Sequence, residues 1–177
     1  ADLFETYAVT LTAAILLGSL IIGVNGVNFP LVLAGLAIIA SIIGVLFVRL
    51  GRKQDAEGEQ TPYGAGIMSA LYKGLFAALI ISAVLFYPAA KSYFPEDYFK
   101  IYLCSLIGLA VTILMVLITD YYTAKKFRPV KSIAHASRSG HGTNIIIGLA
   151  MGMESTGLPI VLIVAGVLTS FWLAGIY

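Results

Sequence analysis

The sequence predicts an all-α fold, in which about five hydrophobic helices cross a lipid bilayer and little chain remains for a soluble domain. Hydrophobic residues make up 59% of the 177 residues, whereas charged residues make up only 11%. A soluble domain carries roughly 25% charged residues, so most of this surface must face lipid. The polar residues are also concentrated in short stretches between long apolar runs, which is the pattern of a polytopic membrane protein.

Five apolar stretches reach the roughly 20 residues that a membrane-spanning helix requires. Residues 25–30 combine turn-forming residues with a proline suited to the first turn of a helix, so they predict the first break. The polar residues 51–62 and 120–142 predict two loops, and residues 87–100 predict a polar link. Pro159 predicts a kink in the fifth span. The predicted spans are residues 2–24, 30–50, 63–86, 101–119 and 143–175.

The basic residues predict how these spans are oriented. With five spans, loops 51–62 and 120–142 lie on the same side of the membrane. Eight Lys and Arg residues lie on or beside these two loops and two lie on the other side, so the positive-inside rule places both loops in the cytoplasm. The eight are Arg49, Arg52, Lys53, Lys125, Lys126, Arg128, Lys131 and Arg138, and the two are Lys91 and Lys100.

Ionisable residues inside the spans are candidate site residues, because charges at membrane depth face protein or water. Asp2 and Glu5 share one helix face, and with Thr6 they offer oxygen ligands for a hard cation or a proton. The alternative is a solvated acidic helix start. Lys73 either snorkels or pairs with an acid. Counted from residue 143, Glu154 lies deep in its span, where it should make a structural hydrogen bond or serve in a proton relay.

Other features carry weaker signals. The net charge of +2 does not suggest a nucleic-acid partner. Cys104 is the single cysteine, so no internal disulfide forms. His135 and His141 lack partners at metal-ligand spacing. Residues 136–144 are compatible with an anion site at a helix N-terminus, but a flexible turn that ends in a Thr143 cap is favoured.

Two stretches resemble the ion-pumping inorganic pyrophosphatases of membranes. Residues 1–8, ADLFETYA, are similar to the D-L-F-x-x-Y-A motif of that family's sixth helix. Residues 134–157, AHASRSGHGTNIIIGLAMGMESTG, resemble the entry into its tenth helix. The family has sixteen spans in an inner and an outer ring and usually forms a homodimer. The resemblance therefore implies that this chain is a fragment that supplies the sixth to tenth spans and packs against the remainder of the same polypeptide.

The resemblance also implies a function. The whole protein would couple Mg²⁺-dependent hydrolysis of pyrophosphate at the cytoplasmic side to transport of Na⁺ or H⁺ across a cell inner membrane or an acidic-organelle membrane. The hydrolytic carboxylates and their Mg²⁺ would lie outside this chain, so the chain alone would have no catalytic residue. A motif outside the chain would also decide whether K⁺ is required.

The resemblance assigns roles to the candidate residues. Asp2 matches the family's gate aspartate, which pairs with a lysine on a later helix. Glu5 matches the glutamate that binds the transported ion in members with D-L-F-E, and Thr6 stands where serine is common in sodium pumps. Because the D-L-F-E arrangement occurs in sodium pumps and in some proton pumps, the resemblance leaves both ions open, with Na⁺ preferred. Glu154 matches a position where other members carry lysine, which argues against a relay role.

Two other function classes remain open at this stage. In a secondary transporter, Glu154 beside Pro159 would form an ion site at the middle of the membrane. A non-catalytic membrane subunit would instead pack its apolar helices against a partner. An aspartate-rich run before Ala1 would favour the pyrophosphatase over both.

Overall fold

The structure is a computed structural model, which describes the backbone of residues 2–48 and 63–175 and the side chains of residues 4–48 and 69–175. All regular structure within those ranges is helical, and five of the helices are long and apolar enough to cross a membrane. The predicted all-α membrane fold is therefore confirmed. The predicted loop 51–62 lies outside the described residues. The chain divides into two compact units, with the boundary between Ser105 and Leu106.

The first unit begins with two helices, α1 (Asp2–Ile22) and α2 (Val24–Val45). The break between them is a single residue, Gly23, with φ of 71°. Residues with a side chain rarely adopt that conformation, so glycine permits this short connection. The predicted break at residues 25–30 is wrong, because Pro30 lies inside α2. A proline in a membrane helix removes one backbone hydrogen bond, and neighbouring helices support the rest.

Two glycines bring α1 and α2 into backbone contact. A Cβ atom on Gly26 would overlap the carbonyl group of Gly18, and a Cβ atom on Gly18 would overlap that of Gly26. Small residues at a helix interface allow this close approach, which favours van der Waals packing where no hydrophobic effect operates between helices. The α1–α2 pair therefore depends on glycine at both positions.

The helix α3 (Tyr63–Tyr93) packs against α2 in the same way. A Cβ atom on Gly44 would lie 2.8 Å from Cβ of Ala78, and one on Gly74 would overlap Val48. Alanine also dominates the buried apolar residues of the described chain, which are Ala40, Ala70, Phe86, Ala89, Ala90, Ile101, Ala136 and Ala174.

The link between α3 and α4 is shorter than predicted. The helix α3 continues through Pro88, so only residues 94–97 separate it from α4 (Tyr98–Thr123), and the predicted polar link 87–100 is wrong. Aromatic packing holds this end of the unit. The ring of Phe29 lies 5.2 Å from that of Phe94, and the ring of Tyr87 lies 5.4 Å from that of Tyr102.

The second unit contains the rest of α4, a short helix α5 (Arg128–Ala136), a 3₁₀ turn (Ser137–Ser139) and α6 (His141–Ala174). The predicted polar loop 120–142 therefore contains regular structure, namely the end of α4, the helix α5 and the 3₁₀ turn. Pro129 in the first turn of α5 is a helix-start signal that sequence reasoning did not use. The cap predicted at Thr143 is wrong, because α6 begins two residues earlier, with Gly140 at its N-cap.

Two contacts define how the last part of α4 pairs with α6. A Cβ atom on Gly166 would lie 2.9 Å from Cγ2 of Val111, and the side chain of Tyr122 interacts electrostatically with that of Glu154. These contacts are eleven residues apart on α4 and twelve apart on α6, as expected for two antiparallel helices. The first thirteen residues of α6, from His141 to Met153, therefore extend roughly 20 Å beyond the contact of Tyr122 with Glu154, near the last turn of α4.

Most large apolar side chains lie on the outside of the helices. Leu20 is 83% exposed, Trp172 is 85% exposed and Phe4 is 76% exposed. A water-soluble protein does not present continuous apolar surface on this scale. The surface is therefore suited to lipid and to other membrane helices.

Candidate functional site

The first candidate site lies at the start of α1. The helix includes Asp2, so its spacing places Asp2 and Glu5 one turn apart on the same face. The side chains of Glu5 and Thr6 are exposed, and that of Asp2 lies outside the described side chains. The carbonyl oxygen of Thr6 accepts a hydrogen bond of 2.7 Å from the hydroxyl of Thr10, which is a contact within the helix.

This face carries the oxygen atoms that a proton or a hard cation prefers. Across the described residues, no group of three or more His, Cys, Asp or Glu side chains is arranged to hold a metal ion. No Mg²⁺ site is therefore assigned to them. A cation held by Glu5 and Thr6 would need further ligands from a segment that packs on the exposed face of α1.

Lys73 lies on α3 beside the buried Gly74, and its side chain is exposed. Among the described ion pairs, none joins Lys73 to an acid; those that form are Lys100 with Asp97, at 2.9 Å, and Lys126 with Asp120, at 3.4 Å. Within the described part of the first unit, Lys73 therefore has no ion pair with Glu5.

Glu154 has a partner within the second unit. Its carboxylate lies close enough to the hydroxyl of Tyr122 on α4 for the two groups to interact electrostatically. The level of Glu154 follows from this contact, because Tyr122 is the last residue but one of α4. Glu154 lies in the interior of α6, which is one of the five candidate spans, and it lies beside the last turn of α4. Sequence periodicity could not show this, since it does not report how far one helix extends past another.

A polar and aromatic cluster that sequence reasoning missed surrounds the end of α4. The ammonium group of Lys126 pairs with Asp120, and it also lies 4.7 Å above the ring centre of Phe127. The ring of Tyr121 contacts the rings of Tyr122, at 5.0 Å, and Phe127, at 5.2 Å. Tyrosine and basic side chains concentrate where hydrocarbon meets water, and this cluster has that composition.

Removing the contact between Tyr122 and Glu154 should cost modest stability. We expect Tyr122→Phe and Glu154→Ala each to lower the melting temperature slightly, because each removes one side of this polar contact. The double variant should lose less than the sum, which thermal unfolding in detergent would measure as a double-mutant cycle. Tyr121→Phe is the matched control. Additive losses would contradict the contact, and complete loss of hydrolysis in a folded full-length Glu154→Gln variant would indicate a role in turnover.

Comparison with known proteins identifies the family. The sequence profile of the family described as "Inorganic H+ pyrophosphatase" matches residues 1–177. The chain is 46% identical to a K(+)-insensitive pyrophosphate-energized proton pump of Methanosarcina mazei, over 99% of this chain and 24% of that protein. It is 41% identical to K(+)-insensitive pyrophosphate-energized proton pump 2 of Moorella thermoacetica, over 98% of this chain and 25% of that protein.

A third relative is much shorter. The chain is 40% identical to pyrophosphate-energized proton pump 2 of Mycoplana dimorpha, over 93% of this chain and 79% of that protein. This chain thus spans about a quarter of the length of the first two relatives and most of the third. With its five candidate spans, the chain is a multi-pass integral membrane protein that belongs to the family of membrane-bound, ion-translocating inorganic pyrophosphatases.

Proposed function

We propose that this chain forms part of a primary pump that hydrolyses pyrophosphate and moves protons across the membrane. The observation that carries the proposal is the family match over residues 1–177, together with relatives whose names all describe pyrophosphate-energized proton pumps. The resemblance of residues 1–8 and 134–157 to two motifs of the family supports it as well. The substrate is pyrophosphate, and the working protein is a homodimer in the bilayer.

The transported ion is assigned to H⁺. The D-L-F-E arrangement with Thr6 favoured Na⁺ at the level of sequence, but the names of the relatives favour protons. A carboxylate serves either ion, because it can bind a cation or take up a proton. Glu5 carries the proton in this proposal, Asp2 forms the gate beside it, and Thr6 contributes a hydroxyl to the same helix face.

Hydrolysis belongs to the part of the pump beyond this chain. The chain covers only about a quarter of the Methanosarcina relative, and the family resemblance implies that the hydrolytic carboxylates lie outside residues 1–177. We assign the Mg²⁺-binding carboxylates to the remaining three quarters. The helix α1 then lines the transport path below the pyrophosphate site. Hydrolysis would change which partner, a lysine, a cation or a proton, is bound to Asp2 and Glu5.

The test is a paired assay with the full-length protein in sealed vesicles. Pyrophosphate should drive phosphate release and acidification of the lumen, measured with a quenched dye, at equal rates with and without Na⁺. K⁺ should not be required, by analogy with the K(+)-insensitive relatives. Pyrophosphate-dependent uptake of ²²Na⁺ in place of protons would support a pyrophosphate-driven pump but would show that the transported ion is Na⁺. The proposal would be wrong if phosphate release or acidification of the lumen did not depend on added pyrophosphate.

A further inference from the structure

Basic side chains accumulate in one short segment of the second unit. No acidic residue occurs between Asp120 and Glu154, whereas the segment 125–138 contains five Lys and Arg residues. All five are exposed: Lys125, Lys126, Arg128, Lys131 and Arg138. Because Asp120 pairs with Lys126, the excess positive charge at this place rests on the other four.

The fold of α5 directs these charges away from the protein. Arg128, Lys131 and His135 are spaced three and four residues apart, so they share one face of the helix. Pro129 and Ala136 lie on a different face, where they are buried, and α5 packs against α6. The strongly amphipathic helix therefore presents Arg128 and Lys131 on its exposed face, and the exposed Lys125 lies in the turn just before it. We define these three residues as the basic stripe.

A bilayer centred on the uncharged part of α6 would have its boundary at the foot of this stripe. Residues 156–174 of α6 contain no charge and span roughly 28 Å as a helix, close to the thickness of the hydrocarbon core. Trp172 stands at one end of that segment and Tyr122 lies beside the other, as in the aromatic belts of membrane proteins. Lys125 and Arg128 follow Tyr122 by a few residues, so they would lie at the level of lipid headgroups.

We propose that the basic stripe binds the phosphate groups of acidic lipids. A juxtamembrane cluster of Lys and Arg is attracted to an anionic leaflet, and each basic residue near the surface contributes roughly a fivefold gain in affinity. Arg128 can bind a phosphate through two parallel hydrogen bonds. The aromatic rings of Tyr121 and Phe127 keep the adjacent backbone at the interface. The proposal does not depend on which ion the protein transports.

Native mass spectrometry of the full-length protein in detergent would test this binding. When the two lipids are added at the same concentration, the protein should retain more phosphatidylglycerol than phosphatidylcholine. The variant Lys125→Gln/Arg128→Gln/Lys131→Gln should bind phosphatidylglycerol roughly 100-fold more weakly, if the three contributions add. The control is Lys91→Gln/Lys100→Gln, which removes charge beside the link 94–97 and should bind as the wild type does.

A second measurement needs no variant. Binding of phosphatidylglycerol to the wild type should fall sharply in 1 M NaCl. The Debye length at that ionic strength is about 3 Å, so the attraction between exposed charges is screened. Equal retention of phosphatidylcholine and phosphatidylglycerol would overturn the proposal. So would unchanged binding in the triple variant, an equal loss in the control variant, or complete displacement of the lipid by millimolar inorganic phosphate, which would identify a free anion as the ligand.

Discussion

Replacing Glu5 with Ala in the full-length pump is expected to abolish pyrophosphate-driven proton transport while pyrophosphate binding persists. Glu5 lies one helical turn from Asp2 on α1, and two carboxylates this close in a low dielectric repel each other unless a lysine, a cation or a proton joins them. Exchange among these partners is how hydrolysis would drive transport. Losing a positioned proton carrier typically lowers a rate by about 100-fold or more, so the transport rate should fall by at least that factor.

Two further variants separate the roles of the acids. Asp2→Ala should impair both hydrolysis and transport. The family resemblance pairs Asp2 with a lysine on a later helix, and the substitution would leave the charge of that lysine uncompensated. Glu96→Ala removes an exposed acid from the link between α3 and α4, and it should leave both activities intact. Phosphate release and dye quenching in the same vesicles would report the two activities. Full proton transport by a folded Glu5→Ala protein would refute the assignment of Glu5.

Replacing Gly26 with Ala is expected to destabilise the packing of α1 against α2 severely. The added methyl group would overlap the carbonyl group of Gly18, and a backbone carbonyl cannot rotate away as a flexible side chain can. Overpacking of this kind costs about 1–3 kcal/mol, and occasionally more. The melting temperature in detergent should therefore fall by several degrees, with loss of monodisperse protein in size-exclusion chromatography.

The same helix supplies a matched control. Gly35 is also in α2, and a Cβ atom there would meet no atom within 4 Å. Gly35→Ala should be neutral or slightly stabilising, since alanine is better than glycine in a helix interior by about 1 kcal/mol. If both variants melted at the same temperature, close backbone contact at Gly26 would not be what holds α1 against α2.

Helix boundaries show where local sequence signals were not sufficient. Proline suggested a helix start at Pro30 and a link from residue 87, but the structure carries α2 and α3 through Pro30 and Pro88. Proline removes one hydrogen bond from a helix, and packing of α1, α2 and α3 through small residues outweighs that loss. Gly23 was the decisive residue, yet one glycine in an apolar run is not distinctive until its backbone angles are known.

The sequence by itself determined the number of spans, the all-α class and the family. Each of these depends on local information, because about 20 apolar residues in a row can satisfy their backbone polar groups in lipid only as a helix. The motifs at residues 1–8 and 134–157 are likewise continuous in the chain. Asp2, Glu5 and Thr6 were placed together for the same reason, since they are neighbours on one helix.

Only the tertiary structure decided the features that need two segments. The partner of Glu154, its level beside the last turn of α4 and the contact of Gly18 with Gly26 all depend on how far one helix slides along another. Periodicity in a single sequence gives the face of a helix but not its axial offset from a neighbour. That offset is set by the sum of many small packing contacts between helices, and it brings Glu154 beside Tyr122 near the end of α4.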